Sequence, residues 1–110
     1  MNKLIIIGNL THDPELRTTK SGIYVCSFSV AVNRRRRVEG QPEADFFRVT
    51  TWRDMAESCA KYLSKGRKVG CTGSVSLVVN ERDGRTYASM EMDADEVEFL
   101  SPRPTAQDSE

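Results

Sequence analysis

Four side chains at alternate positions, Phe46, Arg48, Thr50 and Trp52, form a set able to hold a ligand. In an extended segment, side chains two apart share a face. These four therefore lie together, while Phe47, Val49 and Thr51 face the other way. A face that runs ring, guanidinium, hydroxyl, ring makes a poor core, because an interior Arg48 would bury its charge without an evident partner. It suits a polymer that offers flat faces and phosphates: rings take bases by stacking, and the cation neutralises the backbone or sits over a ring. The competing reading is that Trp52 anchors the interior of a β fold.

The run Arg34, Arg35, Arg36 and Arg37 comes just before this segment, in a polar stretch with Gly40 and Pro42. A loop of that kind can fold over a nucleic-acid strand, and guanidinium planes also stack on bases. The same run serves equally well as a solvated loop. Arg82 and Arg85 flank the Asp83-Gly84 pair, while Arg67 and Lys68 open a later apolar segment; all four extend a basic track. Lys61 and Lys65 read as ordinary surface charge. Phe28 reads as core, and Tyr24 is open between core and surface.

No catalytic set accompanies these residues. His12 is the only histidine, and Thr11-His12-Asp13-Pro14 has the composition of a turn. Asp93, Asp95, Glu96 and Glu98 follow the pattern of a wet strand face rather than a metal cage, and no glycine-rich phosphate loop occurs. Cys26, Cys59 and Cys71 are odd in number and far apart, with no CxxC pair. They read as small core residues in a reducing compartment. No enzyme, metal or cofactor is expected.

The formal charge is zero, but residues 1–86 carry 15 Lys/Arg against 9 Asp/Glu, and residues 87–110 carry one against 7. A neutral total can thus hide a basic region suited to phosphates, and charge alone equally allows the two ends to neutralise each other in the fold. No apolar run approaches the ~20 residues of a bilayer span, and the opening apolar stretch is too short for a signal peptide. A cytoplasmic protein is the expectation.

Alternation and turn residues predict the elements that position the candidate face. Residues 4–7 and 22–32 read as strands, 33–45 as a loop, and 46–52 as the strand bearing the face. Asp54 is the expected N-cap of a helix, with Glu57 as its capping-box partner. Ala56, Cys59, Ala60 and Leu63 form one apolar stripe, and Gly66 is the expected C′ residue. Residues 68–79 read as a strand bent or bulged near Gly70 and Gly73. Asp83-Gly84 marks a hairpin turn. A last strand spans residues 87 to about 100, and its apolar phase shifts between Ala94 and Val97. The expected layout is one domain, residues 1–102, followed by a flexible tail, residues 103–110. An all-β chain with one short helix between its third and fourth strands has the order of the OB-fold, a five-stranded Greek-key barrel.

The sequence also resembles the bacterial single-stranded DNA-binding proteins and their phage and plasmid relatives. The resemblance runs from Asn2 to about Pro102. It rests on Asn2-Lys3-Leu4-Ile5-Ile6-Ile7-Gly8-Asn9-Leu10-Thr11, on Asp13-Pro14-Glu15-Leu16-Arg17, and on Phe28-Ser29-Val30-Ala31-Val32-Asn33-Arg34. It continues with Ala44-Asp45-Phe46-Phe47-Arg48-Val49, Trp52-Arg53 and Tyr62-Leu63-Ser64-Lys65-Gly66. It implies an OB-fold, a homotetramer, and sequence-tolerant binding of unpaired DNA in replication, repair and recombination. Phe46 and Trp52 match base-stacking positions of the family, and Arg48 a basic position between them.

The chain departs from the family pattern in two loops. Where members often carry a further ring, this chain has the Arg34-to-Arg37 run and Val78-Val79-Asn80, so a steep salt dependence is expected. Cellular members end in a long acidic tail that recruits repair proteins. No such tail is present in this sequence up to Glu110, so the resemblance does not extend to recruitment of repair proteins. A different OB module, such as a primosome accessory or an RNA binder, and a protein–protein adaptor are the alternatives.

Overall fold

The structure, a computed structural model, describes residues 1–36 and 38–101. Arg37 and the expected tail, residues 103–110, lie outside the described residues. The elements are β1 (Leu4–Leu10), β2 (Glu15–Thr18), β3 (Tyr24–Asn33), β4 (Ala44–Trp52), α1 (Arg53–Tyr62), β5 (Lys68–Arg82) and β6 (Arg85–Phe99). The sheet order is β1-β5-β6-β4-β3-β2, and an additional β1–β3 pairing closes β1, β5, β6, β4 and β3 into a ring. This is the predicted OB-type arrangement, with the helix between β4 and β5 in the chain.

Period-two alternation carries the core. Ile6 and Leu10 from β1, Cys26, Phe28 and Val30 from β3, Val49 from β4, Val69 and Cys71 from β5 and Met92 from β6 are buried together. Ala56, Cys59 and Leu63 of the helix stripe complete this cluster. The helix therefore plugs the barrel, as its stripe predicted, and Phe28 is core. Burial pushes the Cys59 and Cys71 thiols up to about 12 and raises that of Cys26, the nearby Arg48 charge pulling the last one back.

Close approach requires glycine at two places. A Cβ on Gly8 would stand 2.2 Å from the Ala31 carbonyl oxygen, where β1 crosses β3. A Cβ on Gly73 would stand 2.0 Å from the Asp93 carbonyl oxygen. Gly73 also marks the one register shift of the β5–β6 ladder: Thr72 pairs with Glu96 but Gly73 with Ala94, leaving Asp95 as the extra residue. The bend expected near Gly73 and the phase shift expected between Ala94 and Val97 are thus one bulge seen from its two strands. Gly70 contributes no bulge. Asn2 secures β5 beyond this point: its side-chain amide donates to the Val75 carbonyl (2.7 Å) and accepts from the Val75 N–H (3.1 Å).

Three local expectations are corrected. The N-cap is Trp52, in extended conformation and without a side-chain cap bond, so Asp54 is not the cap but lies inside the first turn. There its carboxylate complements the helix dipole. Arg53, at the strand-to-helix corner, takes φ 60°, which leaves the backbone no room for an Asp54 capping box. At the other end, Gly66 is not the C′ residue. The helix stops at Tyr62, and Gly66 (φ 88°) sits in the following turn, closed by the Arg67 N–H donating to the Ser64 carbonyl. Finally, β2 was missed. Its four side chains are all exposed, so it has no burial alternation and exists through its pairing with β3.

Candidate nucleic-acid interface

The alternation along β4 places its side chains as predicted. Val49 and Thr51 are buried and Phe47 is packed against the core, while Phe46 and Trp52 are 60% and 45% exposed. The buried Thr51 hydroxyl donates to the Cys26 carbonyl at 2.9 Å, so this inward polar group is satisfied. Strand registers extend the outer face sideways. Arg17, Val25 and Trp52 form one row, Glu15, Ser27 and Thr50 the next, then Ser29, Arg48 and Glu91, then Ala31 and Phe46. The surface is therefore a curved, four-strand platform with a ring near each end and Arg48 between them.

Two hollows mark this platform. One, of about 410 Å³, is lined by Ser29, Phe46, Phe47, Arg48, Ser89, Met90 and Glu91. The other, of about 240 Å³, is lined by Arg17, Thr18, Thr19, Val25 and Trp52. Each ring thus borders an open depression of a size that admits a base. Sequence reasoning missed Arg17. Its place beside Trp52 depends on the β2–β3 pairing, and no local pattern announces it.

The Arg48 guanidinium lies over the middle of the platform. Its Nη1 donates weakly to the Ser29 hydroxyl (3.4 Å), and Nη2 stands 3.9 Å from a Glu15 carboxylate oxygen. Neither contact buries it, and its side chain remains accessible to an incoming phosphate.

The remaining basic candidates separate. In the β3–β4 loop, Arg34 donates from Nε and Nη2 to one Asp45 oxygen and from Nη1 to Gln41. The Asp45 hydrogen bond and charge hold the guanidinium pKa above its usual value. Arg35 and Arg36 are exposed at the Phe46 end of β4. Arg82 and Arg85 face each other across the two-residue Asp83-Gly84 loop. Asp83 and Gly84 both have positive φ, 54° and 76°, as a type I′ turn requires. Arg67 and Lys68 lie at the opposite end of β5, where Lys68 pairs with Asn9. They share the β1 side of the barrel and do not join the Phe46–Trp52 platform.

Among the described residues no group of His, Cys, Asp and Glu is placed to hold a metal ion, and no helix is long and apolar enough to cross a membrane.

The sequence profile of the Single-strand binding protein family matches residues 1–100. Single-stranded DNA-binding protein 3 of Clostridium acetobutylicum is 45% identical over 102 residues, 91% of this chain and 71% of that protein. Single-stranded DNA-binding protein 1 of Staphylococcus aureus is 43% identical over 108 residues, 96% of this chain and 69% of that protein. Among solved structures, the small single-stranded DNA-binding protein from Streptomyces coelicolor superposes with a TM-score of 0.76 at 23% identity, covering 88% of this chain and 92% of that one. That structural likeness carries the fold; the family match and the closer sequences carry the kinship. The chain belongs to the single-strand binding protein family.

Proposed function

We propose that this chain binds single-stranded DNA without strong sequence preference and without catalysis, serving replication, repair and recombination. One observation carries the reading: on β4, Phe46 and Trp52 stand exposed on either side of Arg48, while their inward neighbours fill the core. Exposed rings in a strand that already has a buried face gain nothing from core packing. They provide stacking faces at about 1–3 kcal/mol per base, and stacking tolerates any base. Arg48, with Arg35, Arg36, Arg82 and Arg85 around the platform, neutralises phosphates. Arg34 acts chiefly by shaping its loop through Asp45, and Arg37 completes the basic run. Arg67 and Lys68 reach only a strand that continues around the barrel.

Residues 1–102 form the binding domain, assembled as a homotetramer in the cytoplasm and associated with the nucleoid. The exposed Ile5 and Ile7, beside Leu100 on the β1–β5–β6 face, support self-association.

Trp52 is the only tryptophan, so its fluorescence reports on the platform. Addition of oligothymidylate at low salt is expected to quench it, and the affinity to fall steeply with added salt. An unchanged signal, with no binding by an independent separation assay, refutes the proposal. A matched RNA that binds more tightly than the DNA would redirect it to an RNA partner.

A further inference from the structure

The β5–β6 hairpin extends past the barrel. The β1–β5 pairing ends at Gly73, and the β4–β6 pairing runs from Thr50–Asp93 to Phe47–Met90 and no further toward the hairpin tip. Among the described residues, Val78 to Arg82 and Arg85 to Ser89 pair only with each other. Five residue pairs at ~3.3 Å give an arm of roughly 15 Å.

Directly opposed residues of such a ribbon share a face, and the face alternates with each pair. Arg48 is in register with Glu91, and Glu91 with Ser76, so this pair belongs to the platform side. Two pairs further comes Ser89 with Val78, then Asn80 with Tyr87, then Arg82 with Arg85. No register shift intervenes, so the platform side continues without a break to the tip. Ser89 borders the hollow of Phe46. Tyr87 lies two residues, roughly 7 Å, beyond it. Asn80, Arg82 and Tyr87 line their own hollow of about 320 Å³, and Tyr87 is 51% exposed. The opposite side of the arm carries the pairs Val79–Ala88 and Glu81–Thr86 instead.

We propose that Tyr87 is a third base-stacking ring, which carries the single strand from Phe46 onto the arm. The inference rests on the nucleic-acid reading of the platform and extends it. A base lies on the Tyr87 ring. The Asn80 amide beside it offers donors and an acceptor to the base edge, and Arg82 and Arg85 take the flanking phosphates. The hairpin is then part of the binding surface, and the bound length exceeds what Phe46 and Trp52 alone would define.

The test uses the whole chain and oligothymidylates of increasing length, read by Trp52 fluorescence. Sedimentation follows the oligomeric state of each variant. Tyr87→Ala is expected to weaken binding of long oligomers about 5- to 150-fold, the factor that one stacked base supplies. The shortest oligomers that bind are expected to be affected little, and Tyr87→Phe to restore the affinity. Because Tyr87 sits on an exposed ribbon, the thermal melt of Tyr87→Ala is expected to match the parent. Equal affinity of parent and Tyr87→Ala at every length overturns the inference while leaving the platform reading intact. So does a Tyr87→Phe protein as weak as Tyr87→Ala, since that assigns the effect to the hydroxyl. A Tyr87→Ala protein that falls apart into smaller species overturns it in favour of a contact between copies of the chain. Failure of the parent to bind any oligomer removes the platform reading and this inference together.

Discussion

The Arg34 guanidinium stands 2.8 Å from the Asp45 carboxylate, across the base of the β3–β4 loop. One member of the arginine run is thus already paired within the chain, while Arg35 and Arg36 project to solvent. A cation neutralised by its own carboxylate displaces fewer counterions from a phosphate chain. Each phosphate contact contributes about 0.7 to the slope of log affinity against log salt for single strands. Arg35→Ala and Arg36→Ala are each expected to lower that slope by up to about 0.7, Arg34→Ala by less, and Asp45→Asn to raise it. Titrations over a salt series check this. Equal effects from all three alanine variants would show that the Asp45 pairing does not survive binding.

Phe46 and Phe28 separate binding from stability. Phe46 is exposed and Phe28 is 1% exposed at the centre of the core. Phe46→Ala is expected to weaken binding by about 1–3 kcal/mol with little change in the denaturation midpoint. Phe28→Ala is expected to cost about 3–5 kcal/mol of stability through the cavity it leaves. Urea unfolding and oligothymidylate titration, run on both variants, give the comparison. A Phe46→Ala protein that unfolds early would place that ring in the core.

Glu15 competes with phosphate for Arg48. Its carboxylate lies 3.9 Å from the guanidinium, on the same outer face. Exposed pairs of this kind are worth at most about 1 kcal/mol, so Glu15→Gln is expected to tighten binding no more than about fivefold at low salt. The gain shrinks as salt screens the pair. A weaker Glu15→Gln complex would mean that the carboxylate positions Arg48 for the ligand rather than opposing it.

Arg53 carries local backbone strain at φ 60°, directly between Trp52 and the helix. For a residue with a Cβ, the left-handed region costs roughly 1–2 kcal/mol, which glycine avoids. After allowance for glycine's extra freedom in the unfolded chain, Arg53→Gly is expected to raise stability by about 1 kcal/mol, whereas Arg53→Ala brings no gain. Denaturant midpoints of the two variants decide it.

The buried thiols make the fold sensitive to alkali. Cys59 and Cys71 are pushed from 9.0 to about 12 by burial, so the folded state holds these protons where the unfolded chain has lost them. Stability from this source is complete below pH 9.0 and falls as pH rises from there toward 12. The urea midpoint is expected to drop over that range, and less so in a Cys71→Ala protein compared with its own neutral-pH value. Thiol reagents at neutral pH are expected to react only after unfolding, because thiolate formation and access are both denied.

Much of the candidate site was legible without coordinates. Alternation in residues 46–52 told which side chains share a face, and the charge of Arg48, which has no place in a core, told which face is wet. Both are consequences of local geometry. The Asp83-Gly84 turn was equally legible, since only residues that tolerate positive φ fit a two-residue hairpin loop. The helix ends were not. Asp54 and Gly66 have the right residue types for caps, but the strand-to-helix corner at Arg53 and the Ser64–Arg67 turn claim that backbone first.

The sequence by itself determined the layout of strands and helix, the inward and outward sides of each strand, and a ring-arginine-ring face on one of them. These follow from periods of two and 3.6 residues, which need no knowledge of what lies opposite. Only the tertiary structure decided that Glu15 reaches Arg48, that Arg17 borders Trp52, that Gly73 and Asp95 share one bulge, and that the platform side continues to Tyr87. Each of these depends on the pairing register between strands distant in the chain. Register is settled when barrel closure and core packing choose one alignment among several that the local alternation permits equally.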